Sequence, residues 1–284
     1  DVVVFVVDGK EGLNSNDYVV RDILNKSNKK VIVAINKIDK PEAIRKVIEL
    51  FPPGSLRQQK VYNKWIVGEG RVFPNINVID NIKEYSIREI AIGIDYGSKN
   101  ATTFVPIALA QNNEGQWKII RLGIYYHNSR ELGDTPTTEY YSNQLKCFID
   151  YLHKKYLGIP INTLVIDSEA SHFSNRLEVD GIRHELAKKN NISVDESVQY
   201  MQSLFYKDFL LIQEMPHIRY FLPTGEAVYG GHDIGLEELE SYHYDKIKSE
   251  REGINAYVKE FDHYVDGTRY IIMEYSLTGR CPIV

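Results

Sequence analysis

The chain has 284 residues, 43% hydrophobic and 26% charged, with a formal net charge of −5. That much apolar material supports one large folded domain or two smaller ones and argues against disorder. No apolar run approaches the roughly 20 residues of a membrane helix and the start lacks a basic-then-apolar leader, so a soluble, cytoplasmic protein without membrane partners is expected.

In chain order, Asp1 to Val7 is a β-branched run that reads as a buried strand. Asp-Gly-Lys-Glu-Gly, a helix near residues 15–27 and a second buried strand from Lys30 to Ile35 follow it. A strand-helix-strand unit pairs its strands in parallel. The second strand runs into Asn36-Lys37-Ile38-Asp39, an NKxD pattern. With "DVVVFVVDGKEGL" and "VIVAINKIDKPEA" around it, this segment resembles the Der (EngA) family of GTPases. The resemblance implies that Asp39 accepts from a guanine base while Asn36 and Lys37 shape its pocket. Neither GxxxxGKS nor GxxxxGKT occurs, so nothing cradles phosphates or places a hydroxyl for magnesium. Residues 1–50 therefore read as a partial GTPase-like segment, expected to bind GTP weakly if at all, and most simply structural.

Residues 44–56 form a short helix pattern broken by Pro52, Pro53 and Gly54, which places a linker at 51–56 and a second domain at 57–284. Val61–Val67, a Gly68-Glu69-Gly70 turn and Arg71–Phe73 read as a hairpin. Ile87–Asp95, Thr102–Ala110 and Trp117–His127 follow as consecutive antiparallel strands. A helix (Thr137–Lys155), a strand (Thr163–Asp167), a mixed segment (Phe173–Lys189) and a helix (Ser193–Phe205) come next. Residues 206–235 read as loops or a hairpin, Leu236–Tyr244 as a helix, and a last helix starts near Asp262.

Two apolar runs end in acids, at Asp95 and Asp167, and the last helix carries His263 and Asp266 three residues apart on one face. Carboxylates delivered by two strand ends and a helix suit hard divalent cations. Acids in a first helical turn also satisfy the helix dipole, which is the simpler reading of Asp262 and Asp266 taken alone. Glu169 is an accessory candidate through water, though a solvent-facing loop acid is the simpler reading. His217, His232 and His243 match no zinc spacing, and Ser168 and Ser171 near His172 lack a nucleophile elbow. Cys147 and Cys281 lie far apart without a CxxC pair, which supports neither a zinc site nor a disulfide framework. Arg57, Lys60 and Lys64, or Arg183, Lys188 and Lys189, could contact phosphates, and each reads more simply as surface charge.

"GIDYGSKNATTFVPIALA", "VIDSEASHF" and "FDHYVDGTRY", in that order, resemble the nuclease domain of the large terminase subunit of tailed bacteriophages. "YNKWIVGEGRVFPNI", "YYHNSRELGDTPTTEYYSNQLKCFI" and "ELESYHYD" extend the likeness from about residue 57 to the end. The resemblance implies a ribonuclease H-like mixed α/β sheet flanked by helices, preceded here by the strand-helix-strand fragment. It also implies a metal-dependent endonuclease cutting double-stranded DNA in genome packaging, in the host cytoplasm. Two magnesium or manganese ions would be held by Asp95 as the bridge, with Asp167 and Asp266 on one each and His263 as ligand or proton carrier. A small terminase subunit, a portal protein and a packaging ATPase domain, expected to be absent from this chain, would be its partners. The alternatives are another ribonuclease H-like nuclease (resolvase, transposase or RNA–DNA hybrid type), a guanine-nucleotide-binding module, or a non-catalytic scaffold.

Overall fold

The computed structural model describes residues 2–8, 30–36, 70–97, 100–189, 192–252, 255–259 and 261–280. The chain forms two compact units, one of residues 1–69 with 245–256, the other of residues 70–244 with 257–284. In the first unit, β1 (Val2–Asp8) and β2 (Lys30–Asn36) pair in parallel from Val2 opposite Lys30 to Asp8 opposite Asn36. The helix expected between them, Lys37 and Asp39 of the NKxD pattern, and the basic group Arg57, Lys60 and Lys64 lie outside the described residues, as does Val61–Val67. The described part of this unit also holds a helix, Lys246–Glu252.

The second unit is built on a ten-stranded mixed sheet flanked by helices, the ribonuclease H-like arrangement expected from the sequence. Its strands are β3 (Val78–Ile79), β4 (Ser86–Asp95), β5 (Ala101–Gln111), β6 (Trp117–Arg121), β7 (Tyr125–Asn128), β8 (Ile161–Ile166), β9 (Glu185–Leu186), β10 (Leu210–Gln213), β11 (Ile218–Phe221) and β12 (Ala227–Tyr229). The main order is β12-β11-β7-β5-β4-β8-β9, with β6, β10 and β3 branching beside β5. Antiparallel β5 and parallel β8 flank β4, so its inner half is buried on both faces while its outer half alternates.

Numbering the helices of this unit in chain order, α1 (Ser129–Leu132), α2 (Thr138–Lys155), α3 (Ser171–Val179), α4 (Val194–Tyr206), α5 (Ile234–Ser241) and α6 (His263–Thr278) cover the sheet. On one face Ile90, Ile92, Ile94 and Phe104 pack with Tyr141, Leu145, Phe148 and Leu152 of α2 and Phe173 and Leu177 of α3. On the other, Ala91, Val105 and Val165 pack with Val265, Ile271 and Ile272 of α6 and Val198, Met201 and Leu204 of α4. Burying each of these aliphatic side chains stabilises the unit by about 1.5–3 kcal/mol.

Four expectations need correction. Residues 71–73 form no strand; Arg71 makes one isolated antiparallel bridge to His243. The single strand expected over Trp117–His127 is two, broken at residues 122–124, where Gly123 takes φ +116 and Leu122 N donates to the Pro106 carbonyl. Pro106 in mid-β5 has no N–H to give a continuous partner strand, so the ladder divides there. The region 206–235, expected as loops or a hairpin, does hold the antiparallel hairpin of β11 and β12, but also a strand outside it, β10, which pairs in parallel with both β6 and β3. The helix expected at Leu236–Tyr244 runs instead from Ile234 to Ser241, capped by Asp233, whose side chain accepts from Leu236 N.

Candidate metal centre

Strand alternation puts Ala91, Gly93 and Asp95 on the face of β4 that meets α6. The approach is very close, since a Cβ added at Gly93 would stand 1.9 Å from the Gly267 carbonyl oxygen. At Gly267 itself an added Cβ would meet Val105 Cγ2 at 2.9 Å. From this crossing, two strand residues on to Asp95 span about 6.7 Å, and four helical residues back to His263 span about 6 Å. The two steps match, and His263 Nδ1 lies 2.8 Å from Asp95 Oδ2. Thr103, directly opposite Asp95 in the β4–β5 ladder, donates from its hydroxyl to the His263 carbonyl at 3.2 Å.

Parallel pairing ends β8 level with β4, and Asp167 N donates to the Ile94 carbonyl at 3.2 Å. Its Oδ1 accepts from Glu169 N at 2.9 Å and pairs with Lys189 Nζ at 2.6 Å, while Tyr270 donates its hydroxyl to Oδ2 at 2.9 Å. Asp266, in the first turn of α6, is paired with Arg269, whose Nε donates to Ser197 Oγ at 2.8 Å. Asp95, Asp167, Asp266 and His263 thus come together from two strand ends and one helix. Each acid is matched with one protein cation: His263, Lys189 and Arg269 respectively.

The electrostatics follow from burial. Asp95 is 9% exposed, and burial, reinforced by Asp266 and Asp167 against the pull of His263, pushes it up to about 6. Burial alone would lower His263, but its hydrogen bond to and the charge of Asp95, with Glu238 and Asp262 beyond, carry it up to about 9. The pair is a carboxylate and an imidazolium at neutral pH. Burial works against ionised Asp167 too, yet the Glu169 N–H, Lys189 and Tyr270 outweigh it and hold the carboxyl below its usual range.

Other side chains stand where sequence reading did not put them. Lys189, read as surface charge, sits among the acids, and Lys188 pairs with buried Glu274 at 2.9 Å. Arg183 is exposed, as is Glu169. Glu238 of α5, 1% exposed, accepts from Tyr264 N at 2.6 Å and so caps α6, whose N-cap Asp262 makes no side-chain cap. Burial pushes Glu238 up to about 7, against the opposing pull of the Tyr264 N–H and His263. Arg269 and Tyr270 could have been found from the helix register, three and four residues after Asp266. Lys189 and Glu238 arrive from distant segments and carry no local signal. His217 Nδ1 is bonded to the His232 carbonyl at 2.8 Å.

Among the described residues no three His, Cys, Asp or Glu side chains are drawn together as a ready-made metal cluster. The donor types nevertheless suit a hard cation: the charges of two further carboxylates, Asp167 and Asp266, act on the buried Asp95, and the Lys189 ammonium is paired with Asp167. Asp95, Asp167 and Asp266 are the residues that could hold it.

Asp95 and Asp167 thus stand at neighbouring strand ends of a mixed sheet flanked by helices, and the comparisons with solved structures bear on that fold. No family model matches the chain. The fold is similar to that of the large terminase from a thermophilic bacteriophage, with a TM-score of 0.65 and 19% identity over 90% of this chain and 57% of that one. The nuclease domain of the Thermus phage P74-26 large terminase matches 73% of this chain and 95% of its own length at a TM-score of 0.43 and 15% identity. In sequence, the GTPase Der of Streptococcus agalactiae is 48% identical over 54 residues, 19% of this chain and 12% of that protein. The GTPase Der of Streptococcus sanguinis is 35% identical over 88 residues, 28% of this chain and 20% of that protein. The chain thus spans a fifth or less of these GTPases and under two thirds of the thermophilic phage's terminase. No described helix is long and apolar enough to cross a membrane.

Proposed function

We propose that the second unit is a divalent-cation-dependent endonuclease that cuts double-stranded DNA, as a large terminase does during phage genome packaging. Small terminase subunit, portal protein and packaging motor are its proposed partners. What supports the reading is the placement of Asp95 and Asp167 at the ends of β4 and β8 and of Asp266 in the first turn of α6, with His263 on Asp95 and the charges of the other two acids acting on it. Asp95, Asp167 and Asp266 would hold magnesium or manganese, which when bound supplies Lewis acidity and an activated water for phosphodiester hydrolysis. Tyr270 and the Glu169 N–H fix the orientation of Asp167, and Arg269 fixes that of Asp266. His263 holds its Nδ1 proton toward Asp95, leaving Nε2 as the atom that can pass a proton at the site. The NKxD segment, without a phosphate loop, is assigned no part in this reaction.

The test is cleavage of supercoiled plasmid with manganese, magnesium or chelator, beside an RNA–DNA hybrid of equal length. Metal-dependent nicking and linearisation of the plasmid, lost in Asp95→Asn and Asp266→Asn with the circular dichroism unchanged, is the expected result. Cleavage that survives both substitutions or the chelator would refute the assignment, and preference for the hybrid would replace the substrate.

A further inference from the structure

The residue before the N-cap of α6 is Phe261, and its backbone takes φ +55. Among the described residues, Asp208 is the other non-glycine at positive φ. Aspartate visits the left-handed region because its short polar side chain can bond locally, whereas a bulky aromatic there is strained. Packing does not offset the strain. The ring is 52% exposed, joins neither core cluster and makes no ring contact among the described residues. A strained backbone that holds an apolar ring in water is explained when the ring meets something outside the chain.

Its place selects the partner. Asp262, 9% exposed, and His263 follow it directly, and His263 Nδ1 lies 2.8 Å from Asp95 Oδ2. Two peptide links separate Phe261 from His263, so their Cα atoms stand within about 7.6 Å of one another. Two positions before the ring is Lys259, whose side chain is 64% exposed and whose ammonium lies 3.7 Å from Asp262. An exposed aromatic and an exposed cation beside the proposed cutting centre suit a nucleic acid, whose bases take the ring and whose phosphates take the charge. In a duplex the bases are already stacked, so an apolar side chain reaches them by parting a step.

Resting on the reading of the preceding subsection, we infer that the Phe261 ring wedges into a base step of the bound duplex beside the phosphodiester that is cut. Steps part unequally: TA and CA/TG steps open readily, and A-tracts are stiff. The wedge therefore gives the cut a preference for flexible steps without any hydrogen bond to a base edge. Phe261 touches the substrate and takes no part in moving its protons or phosphoryl group.

The experiment compares the full chain with Phe261→Ala, Phe261→Trp and Phe261→Gly. Each is titrated with a fluorescein-labelled duplex of mixed sequence in manganese, and the ends it cuts in plasmid are sequenced. The inference expects Phe261→Ala to bind the duplex at least about 5-fold more weakly, the loss of one aromatic–base stack, and to lose a parental enrichment of TA and CA/TG at the cut. Phe261→Trp should keep both properties, with added indole emission that the duplex quenches. Phe261→Gly separates the ring from the fold: glycine takes positive φ freely, so this variant should melt no lower than Phe261→Ala while binding as weakly. Parental affinity and cut ends in Phe261→Ala would overturn the inference, leave the nuclease reading standing and assign the ring to a protein partner. Indole emission that the bound duplex leaves unchanged would overturn it too. A parent that binds the duplex without cutting would refute the nuclease reading alone, with affinity and emission still deciding the role of the ring. A parent that neither binds nor cuts would overturn both.

Discussion

Gly93→Ala tests whether the backbone contact between β4 and α6 sets the site. A methyl at this position would stand 1.9 Å from the Gly267 carbonyl oxygen, 2.7 Å from its carbon and 3.3 Å from its Cα. A carbon and a carbonyl oxygen tolerate an approach of about 3.3 Å, so helix and strand must part by roughly 1.4 Å. All three opposing atoms are backbone, and no side-chain rotation relieves them. Overpacking of this kind costs about 1–3 kcal/mol, and the rigid partner puts Gly93→Ala near the upper end. Intrinsic preference runs the other way, because alanine in a strand is favoured over glycine by roughly 0.5–1 kcal/mol. The sign of the change therefore discriminates between the two effects. For a unit of this size a loss near 3 kcal/mol lowers the melting temperature by about 6–12 °C. A shift of about 1 Å at catalytic groups can cost about 100-fold in rate, so manganese-dependent plasmid cleavage should fall by at least that much. Gly267→Ala, which meets only the Val105 methyl at 2.9 Å, should be milder on both counts. A Gly93→Ala protein as stable as the parent, or more stable, with cleavage intact would refute the reasoning.

Asp233→Ala should cost about 3–5 kcal/mol in urea unfolding, because it strands Arg121, fully buried, which Asp233 holds at 2.8 and 2.6 Å; a loss under 1 kcal/mol would contradict this. Glu238 makes stability depend on pH: its folded-state pKa of about 7 lies above the usual 4.5, so the folded protein keeps a proton that the unfolded chain gives up. Its stabilising effect is full below pH 4.5 and fades as pH rises through 7, a contribution of about 3 kcal/mol across that window. Glu238→Gln should flatten the stability curve there, and an unchanged slope would show that the carboxyl does not titrate as described. Ser193→Ala removes the capping box that Ser193 and Glu196 form at the start of α4. It should lower stability by about 1 kcal/mol without altering cleavage, which thermal scans and the plasmid assay check together.

Much of this was legible before any coordinates. Asp95 and Asp167 could be seen because each closes an apolar run, and a buried strand that ends in an acid delivers that acid to a sheet edge. His263 and Asp266 followed from a three-residue helical spacing. The divided strand at 122–124 was not legible, because its cause, Pro106, lies on the neighbouring strand and acts only once the two pair. Strand β10 was lost among turn-forming residues, though Phe209 to Ile212 is an unbroken apolar run. Lys189 looked like any surface lysine, since what distinguishes it is a carboxylate 22 positions earlier. A pairing across the fold leaves no mark on the local pattern.

The crossing of Gly93 and Gly267 has a consequence for the order in which the protein acquires its chemistry. Asp95 and His263 are 168 positions apart, and their contact requires α6 to be seated against β4. A contact so distant in sequence carries a large loop-closure cost before it can form. With the sheet formed and α6 undocked, the chain holds Asp95 apart from His263 and Asp266, and the cluster is not assembled. The pair of absent side chains acts as a safety catch, released when the final turn of folding brings two bare stretches of backbone together.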